Sequence, residues 1–379
     1  MSHASAEALK RRHLNVRAAF GARSVEALVV TSLPNVLYLT NFTGSAAIVV
    51  LIGERLYFIT DSRYATAARA MCDGAHRCPD LEIVLVDEAY EATLLSLLGR
   101  LPARSIGFES AHVTVARHEW LASRLAAQSP AMRLVPCEGL VEGARIVKDD
   151  GELKTLRMAA QMLSSVADGV VEDVRAGRSE RDLALAIDLR MRRAGFERPA
   201  FDTIVAGGPN GALPHAHPGE RTLTEGDLVV LDFGGVYDSY CVDLTRTVSV
   251  GPADRRAREV YEAVRAAHDA AIDAVRPGQS RFAIDAAARD ELTRRGLGDV
   301  FGHGTGHGLG IEVHEAPRIG RRRPALDPDD DPVQPGMVFT IEPGAYLPDW
   351  GGVRIEDDVV VTETGVEVLT TASTELIEI

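Results

Sequence analysis

Gly226–Val248 reads GDLVVLDFGGVYDSYCVDLTRTV, and its two acids decide how the rest of the chain is read. Leu228–Leu231 is an apolar run of buried-strand type, and Asp232 ends it. Gly234 and Gly235 are expected to supply a turn, with Cys241–Val250 as the returning strand. A carboxylate at the end of a buried run is costly unless donors or a cation compensate it. Asp243 puts a second carboxylate on the returning strand, where two inward acids on neighbouring strands would repel. Taken alone, the stretch fits a metal-binding hairpin or two exposed turn acids equally well.

An internal repeat separates the two readings. RAGRSERDLALAIDLRMRRAG (Arg175–Gly195) parallels RPGQSRFAIDAAARDELTRRG (Arg276–Gly296), with identities at Arg175/Arg276, Gly177/Gly278, Ser179/Ser280, Ala186/Ala287, Arg193/Arg294 and Gly195/Gly296. Ser as N-cap and Gly as C-cap account for part of this. The parallel continues, however, from EGDLVVLDFGG (Glu225–Gly235) to PGMVFTIEPGA (Pro335–Ala345), which sets Asp232 opposite Glu342. A second strand carrying another acid follows each: Asp243 in one half, Glu356 in the other. PHAHP around His215 likewise parallels VHEAP around His314. Two related αβ halves, each giving one acid-bearing hairpin, would bring four carboxylates together. Four such groups cannot all ionise without cations between them.

Imidazoles come from FGHGTGHGLGIEVHE (Phe301–Glu315), which holds His303, His307 and His314 among glycines. The glycines argue against a His-Glu-x-x-His zinc helix and for an irregular stretch or strand crowding a site. No Lys-Ser/Thr follows, so a phosphate-cradling loop is the weaker reading. Three histidines beside four acids favour a metal site over a glycine-rich turn. Hard oxygen ligands with one or two imidazoles suit two divalent ions such as Mn2+, Co2+ or Zn2+.

Composition narrows the function classes. The 379 residues suffice for a sizeable core and two domains. Net charge is 41 − 55 = −14, which disfavours nucleic acid and anionic membranes as partners. No apolar run approaches membrane-span length. The first twenty residues read as an amphipathic helix without a signal peptide's apolar core. Cys72, Cys78, Cys137 and Cys241 are scattered without Cys-x-x-Cys spacing, which fits a reducing cytoplasm; a Cys72–Cys78 pairing is the minor alternative.

Residues 1 to about 145 alternate short apolar runs with helical patterns, the signature of an α/β layer. Strands are expected at Ala27–Val30, Ala46–Ile52, Leu56–Thr60, Glu82–Val86, Ser105–Phe108 and Arg133–Val135. The composition changes at Val147–Gly151, which places a domain boundary between residues 147 and 148. Long helices are then expected at Glu152–Arg175, Glu180–Ala194, Pro252–Val275 and Arg281–Arg295. Pro324–Pro335 reads as an acidic, proline-rich surface loop.

The order Asp232, Asp243, His307, Glu342, Glu356 resembles the pita-bread metallopeptidases, which include methionine aminopeptidase, prolidase and Xaa-Pro aminopeptidase. NVLYLTNFTGS and LYFITDSRY look like the creatinase-type domain that precedes the catalytic domain in proline-specific members. The resemblance implies a small α/β creatinase-like N-terminal domain, residues 1–147, serving dimerisation and covering the site. A pseudo-twofold pita-bread catalytic domain, residues 148–379, would follow. It implies that Asp232 chelates one metal, Asp243 and Glu356 bridge both, and His307 and Glu342 complete the coordination of the second metal. A hydroxide between the ions would be the nucleophile. Glu342 would also shuttle the proton, His215 would hold the scissile carbonyl or its oxyanion, and His314 would contact substrate near the proline. His303 would support His307 or substrate. The implied cofactor is a pair of divalent ions, with Mn2+ favoured by the carboxylate-rich set and Co2+ or Zn2+ as alternatives. The implied partners are a proline-containing peptide and a second copy of the chain.

Other residues carry two readings each. Arg354 is either the holder of a ligand carboxylate near substrate or a surface strand charge. Arg318 either anchors the C-terminal carboxylate of a dipeptide or belongs, with Arg321, Arg322 and Arg323, to a solvated basic run. His217 either points into the pocket or sits on an exposed turn, Phe201 either contacts the proline ring or packs in the core, and Tyr237 either lines the hairpin turn or packs. The leading expectation is hydrolysis of the bond before proline in Xaa-Pro dipeptides. The alternatives are an aminopeptidase on longer Xaa-Pro peptides, a creatinase-like amidohydrolase, and a non-catalytic binding protein. The intact ligand set argues against the last two.

Overall fold

The computed structural model describes residues 4–325, 327 and 330–379. Of the acidic loop Pro324–Pro335, residues 326, 328 and 329 lie outside the described residues, as do residues 1–3 of the N-terminal helix pattern. The chain divides into two compact units, Met1–Arg145 and Ile146–Ile379. No helix among the described residues is long and apolar enough to cross a membrane.

The first unit is a six-stranded mixed sheet with helices packed on it. Its strands are β1 (Ala27–Val30), β2 (Ile48–Ile52), β3 (Arg55–Thr60), β4 (Leu81–Leu85), β5 (Ser105–Glu109) and β6 (Arg133–Cys137), in the order β4-β3-β2-β1-β5-β6. Helices are α1 (Ala6–Ala18), α2 (Phe20–Arg23), α3 (Leu33–Thr40), α4 (Ala65–Ala70), α5 (Tyr90–Leu98), α6 (Val115–Gln128) and α7 (Leu140–Arg145). Asp61 caps the turn before α4 by accepting from Arg63 N. Helix α3 was not anticipated, because LPNVLYLT is β-rich in composition. Pro34 in its first turn and left-handed Asn41 at its end nevertheless delimit a helix.

The second unit is built twice over. Its helices are α8 (Asp150–Val170), α9 (Glu180–Ala194), α10 (Arg255–Ala274) and α11 (Arg281–Arg294). A capping box of Asp149 and Glu152 starts α8. One sheet combines β7 (Arg198–Pro199), β8 (Ile204–Gly207), β9 (Leu228–Tyr237) and β10 (Tyr240–Ser249) with the C-terminal β18 (Ile377–Glu378). The other contains β11 (Gly306–Gly308), β12 (Glu315–Ile319), β13 (Val338–Ile341), β16 (Asp357–Val361) and β17 (Val366–Val368). A ribbon of β14 (Gly344–Leu347) and β15 (Gly351–Arg354) stands apart. Leu156, Leu163, Leu183 and Ile187 of α8 and α9 pack on Leu231, Phe233 and Leu244. Val260, Val264, Ile284 and Leu292 of α10 and α11 pack on Phe339, Ile341 and Val359. Burying each such side chain contributes about 1.5–3 kcal/mol. Because Leu231 and Phe233 face the helices, the strand's alternation turns Asp232 to the opposite face.

Gly234 and Gly235 do not make the turn expected of them. Strand β9 runs through both, and the reversal falls at Asp238 and Ser239, with φ of 50° and 70°. The glycines are there because aromatic rings lie on the strand. A Cβ on Gly234 would sit 2.6 Å from Phe201 Cε1, and one on Gly235 would sit 2.3 Å from Phe196 Cδ1.

The repeat holds down to single hydrogen bonds. Ser179 caps α9 and Ser280 caps α11. Gly177 N donates to Leu223 O, and Gly278 N donates to Val333 O. Gly226 N donates to Val250 O, and Gly336 N donates to Val361 O. This last pair makes Val250 equivalent to Val361, so Thr245 corresponds to Glu356 and Asp243 to Arg354. The returning-strand acids Asp243 and Glu356 are therefore not at equivalent positions. Equivalent residues instead meet each other across the pseudo-axis. Thr245 bonds Glu356 and Arg246 bonds Asp357, both at a separation of 111 residues.

Arg246 is the buried clasp of this axis. Its guanidinium donates to the carbonyls of Thr245, Glu356, Ala372 and Ser373 and to Asp357 Oδ1. Arg246→Ala leaves the buried Asp357 carboxylate without its guanidinium and with only the His268 ring as a cationic partner, at a cost of up to about 3–5 kcal/mol. A clear fall in the denaturation midpoint is expected, and an unchanged midpoint would contradict the role.

Candidate active site

Antiparallel register places Asp232 opposite Thr245, and Asp243 opposite Gly234. The two acids are thus diagonal neighbours on one face of the β9–β10 hairpin, both largely buried. Asp243 N donates to Asp358 Oδ2 at 3.0 Å, while Asp243 Oδ1 is buried with no hydrogen-bond partner. Glu356, just before β16, crosses to the same place. Its Oε2 accepts from Thr245 Oγ1 at 2.5 Å, and its backbone N–H donates to Thr245 O.

His307 sits at the middle of β11, between β12 and β13. Glycines flank it because the neighbouring backbones are too close for any side chain. A Cβ on Gly306 would lie 1.8 Å from Thr340 O, and one on Gly308 would lie 2.2 Å from Ala316 O. Nδ1 of His307 lies 3.0 Å from Gly308 O, which makes it the protonated nitrogen. The Nε2 lone pair then faces Asp243 Oδ2 at 4.0 Å and Glu342 Oε1 at 3.9 Å. These gaps are too long for hydrogen bonds, yet fall within twice a metal–ligand bond of ~2.0–2.2 Å. Ligand atoms of Asp243, His307 and Glu356 lie within 4.8 Å of one another.

Arg354 is not a surface charge; it is 3% exposed. It donates through Nη2 to Asp232 Oδ2, through Nε to Thr245 Oγ1, and through Nη1 to Tyr346 OH and Pro214 O. Tyr346 OH in turn donates to His303 Nε2 at 2.8 Å, since His303 Nδ1 bonds Gly304 O. Both nitrogens of His303 and most donors of Arg354 are consequently engaged by protein. They border the cavity as supports rather than as free groups for substrate. Thr245, Tyr346 and Asp358 were not singled out from the sequence. Thr245 becomes the repeat partner of Glu356 only through the hydrogen-bond register of Val250 and Val361, and the other two carry no local signal.

Asp232, Asp243, His303, His307, Glu342, Arg354 and Glu356 line one cavity of about 480 Å³. His215, His217, His314 and Arg318 also line it, with Phe201, Ile204 and Val313 forming an apolar wall. His215 and His217 are exposed on a loop, and the His314 ring lies 4.3 Å from that of His307. Arg318 is partly buried and bonds Arg321 O. Tyr237 packs edge-on against Phe196.

The donor set fits divalent cations. Burial first, then the carboxylates of Glu356, Asp232, Asp358 and Glu342, hold Asp243 well above the ordinary range. Burial and Glu356 do the same for Glu342. Burial and Asp232 raise Glu356 from 4.5 to about 8. Burial, reinforced by His314, lowers His307 to about 4, so its ring is neutral and free to ligate. An orphaned carboxylate oxygen, a neutral imidazole and four acids around one guanidinium are the complement of added positive charge.

The sign of the pH effect follows. Protonated Glu356 stabilises chelated protein fully below about pH 4.5, and that contribution is lost as pH rises through about 8. The difference in thermal midpoint between Mn2+-loaded and chelated protein is therefore expected to grow across that interval. A difference that shrinks or stays flat would contradict the coupling.

Comparison with known proteins agrees with this geometry. Residues 154–363 match the model of metallopeptidase family M24, and residues 12–147 match the creatinase/prolidase N-terminal domain. An uncharacterized peptidase of Bacillus subtilis is 38% identical over 96% of this chain and 98% of its own. The structure of an Xaa-Pro dipeptidase from Bacillus anthracis aligns with a TM-score of 0.91 at 35% identity, covering 98% of this chain and all of that one. An X-Pro aminopeptidase from Thermotoga maritima aligns at 0.84 and 32% identity, covering 96% of this chain and 100% of that one. With its creatinase-like N-terminal domain and pita-bread catalytic domain, the chain belongs to metallopeptidase family M24.

Proposed function

We propose that this metallopeptidase hydrolyses the bond preceding proline, acting on Xaa-Pro dipeptides with two divalent ions, Mn2+ foremost. The observation that carries the reading is the convergence of Asp232, Asp243, His307, Glu342 and Glu356 on one cavity that also holds a partly buried arginine, Arg318. Asp232, Asp243, His307, Glu342 and Glu356 would hold the ions. When bound, the ions supply Lewis acidity to the scissile carbonyl and lower the pKa of the attacking water. The proline amide nitrogen has no hydrogen, and this chemistry requires none.

The chain's own groups do the rest. Glu342 takes the proton from the attacking water and delivers it to the proline nitrogen as the C–N bond breaks. His215 donates to the carbonyl oxygen as negative charge develops there. His314, beside His307, contacts the substrate near the proline. Arg318 pairs with the free carboxylate of a dipeptide, a group that guanidinium recognises bidentately. This cation, more than the overall likeness, favours a dipeptidase, since relatives named for dipeptidase and for aminopeptidase activity are both similar to the chain. We take residues 1–147 as the N-terminal domain, with dimerisation as its role. The four free thiols suit a reducing cytoplasm.

Proline release from Ala-Pro and Ala-Pro-Ala, after chelation and again after Mn2+ is restored, tests the reading. Metal-dependent cleavage of Ala-Pro with little action on the tripeptide is expected. Cleavage of neither would sink the peptidase reading, and faster cleavage of the tripeptide would replace dipeptidase by aminopeptidase. His215→Ala should retain metal and lose about 2.7–4 kcal/mol of transition-state stabilisation, read as kcat/KM. A near-normal rate would remove His215 from this role.

A further inference from the structure

We infer that Glu180 and Arg281, the first residues of α9 and α11, are a matched pair of positioning residues: Glu180 sets the loop that carries His215, and Arg281 sets the backbone that carries Arg318. The inference rests on the roles proposed above for His215 and Arg318. The two residues occupy the same place in the repeat, each directly after the capping serine, Ser179 or Ser280.

Glu180 is fully buried, which is rare for an acid and requires compensation by donors. Its donors are the two ends of one loop. Oε1 accepts from Gly207 N at 2.9 Å, and Oε2 accepts from Gly219 N at 3.2 Å. The Asn210 amide, within the loop, donates to both oxygens at 2.9 and 3.1 Å. The main chain adds Glu180 N to Arg221 O and Arg181 N to Gly219 O, each 3.0 Å. Between these anchors lies His215. Its neighbours are held as well: Pro214 O by Arg354, and the Ala216 side chain by a small cluster with Ile204, Ala206 and Val230. An exposed histidine on a loop keeps a useful geometry only if the loop is fixed from beneath, and Glu180 fixes both ends of it.

Arg281 makes the complementary arrangement in the other half. It is 9% exposed and donates through Nη1 to Arg318 O at 3.2 Å and through Nη2 to Asp327 Oδ1 at 3.1 Å. One half thus uses an acid that accepts from backbone N–H groups, and the other uses a base that donates to a backbone carbonyl. Neither residue lines the cavity's wall. Both would act only through the residue they place.

One double-mutant cycle and one substrate comparison on the full-length, Mn2+-loaded protein test this. Glu180→Gln turns an acceptor into a donor facing other donors. It is expected to lower kcat on Ala-Pro by about 10- to 100-fold, with KM and metal content held, and to add no further loss to His215→Ala. Asn210→Ala removes one of the carboxylate's partners, is expected to move kcat in the same direction, and carries the test if Glu180→Gln does not fold. Arg281→Gln, or Arg281→Lys as the milder change, is expected to raise KM for Ala-Pro by about 10-fold. It should leave hydrolysis of Ala-Pro amide, which offers Arg318 no carboxylate, unaffected. Losses that multiply with that of His215→Ala, or an Arg281 effect equal on acid and amide, overturn the inference. If His215→Ala is impaired and Glu180→Gln is not, the inference alone fails; if His215→Ala is fully active, the catalytic role of His215 fails with it.

Discussion

Four carboxylates share one site with the buried guanidinium of Arg354, and this imbalance of charge governs the catalytic unit. Asp232 and Asp243 lie on separate strands and Glu342 and Glu356 directly beside two others, so the main chain must hold against their repulsion. It does so with paired strands backed by helices, and with glycines at Gly306 and Gly308 that let three strands close around His307. Arg354 offsets one of the charges by engaging Asp232. The others are left elevated in proton affinity, and Asp243 keeps an unpartnered oxygen. A site organised in this way is poised to exchange protons for metal ions.

The pseudo-twofold axis explains how such a site forms and why it is not symmetric. Thr245 and Glu356 are equivalent positions that bond each other, and so are Arg246 and Asp357. Asp243 has Arg354 as its counterpart: a carboxylate open to a cation in one half, a cation inside the protein in the other. A like residue at both positions would add a further acid or a further buried arginine. The same division appears at the helix starts, where Glu180 and Arg281 do matching work with opposite charge. Duplicated backbone with divergent side chains gives a symmetric scaffold around an asymmetric reaction.

The catalytic unit was largely legible in the sequence because its signals are local. Apolar runs ending in acids, capping serines and repeated glycines mark β13, α9, α11 and the start of β9 within a residue or two, while β9 runs five residues past Asp232. What escaped depends on tertiary approach. Gly234 and Gly235 resemble turn residues, and only the rings of Phe201 and Phe196 reveal why they lie in a strand. The register that equates Asp243 with Arg354 follows from hydrogen bonds to Val250 and Val361, not from residue type. Glu180 and Arg281 look like ordinary first-turn residues until their partners, far along the chain, are known. Tyr346 is invisible for the same reason, being defined by contacts to Arg354 and His303.

The central claim is that added cations complete the charge of this cluster. Elemental analysis of the purified protein after Mn2+ loading and removal of free metal tests it most directly. The account predicts about two ions per chain, falling sharply in Glu356→Gln, because two-metal sites depend on carboxylates shared between the ions. A folded wild-type protein that retains no divalent ion, or a Glu356→Gln variant that retains both, would contradict it.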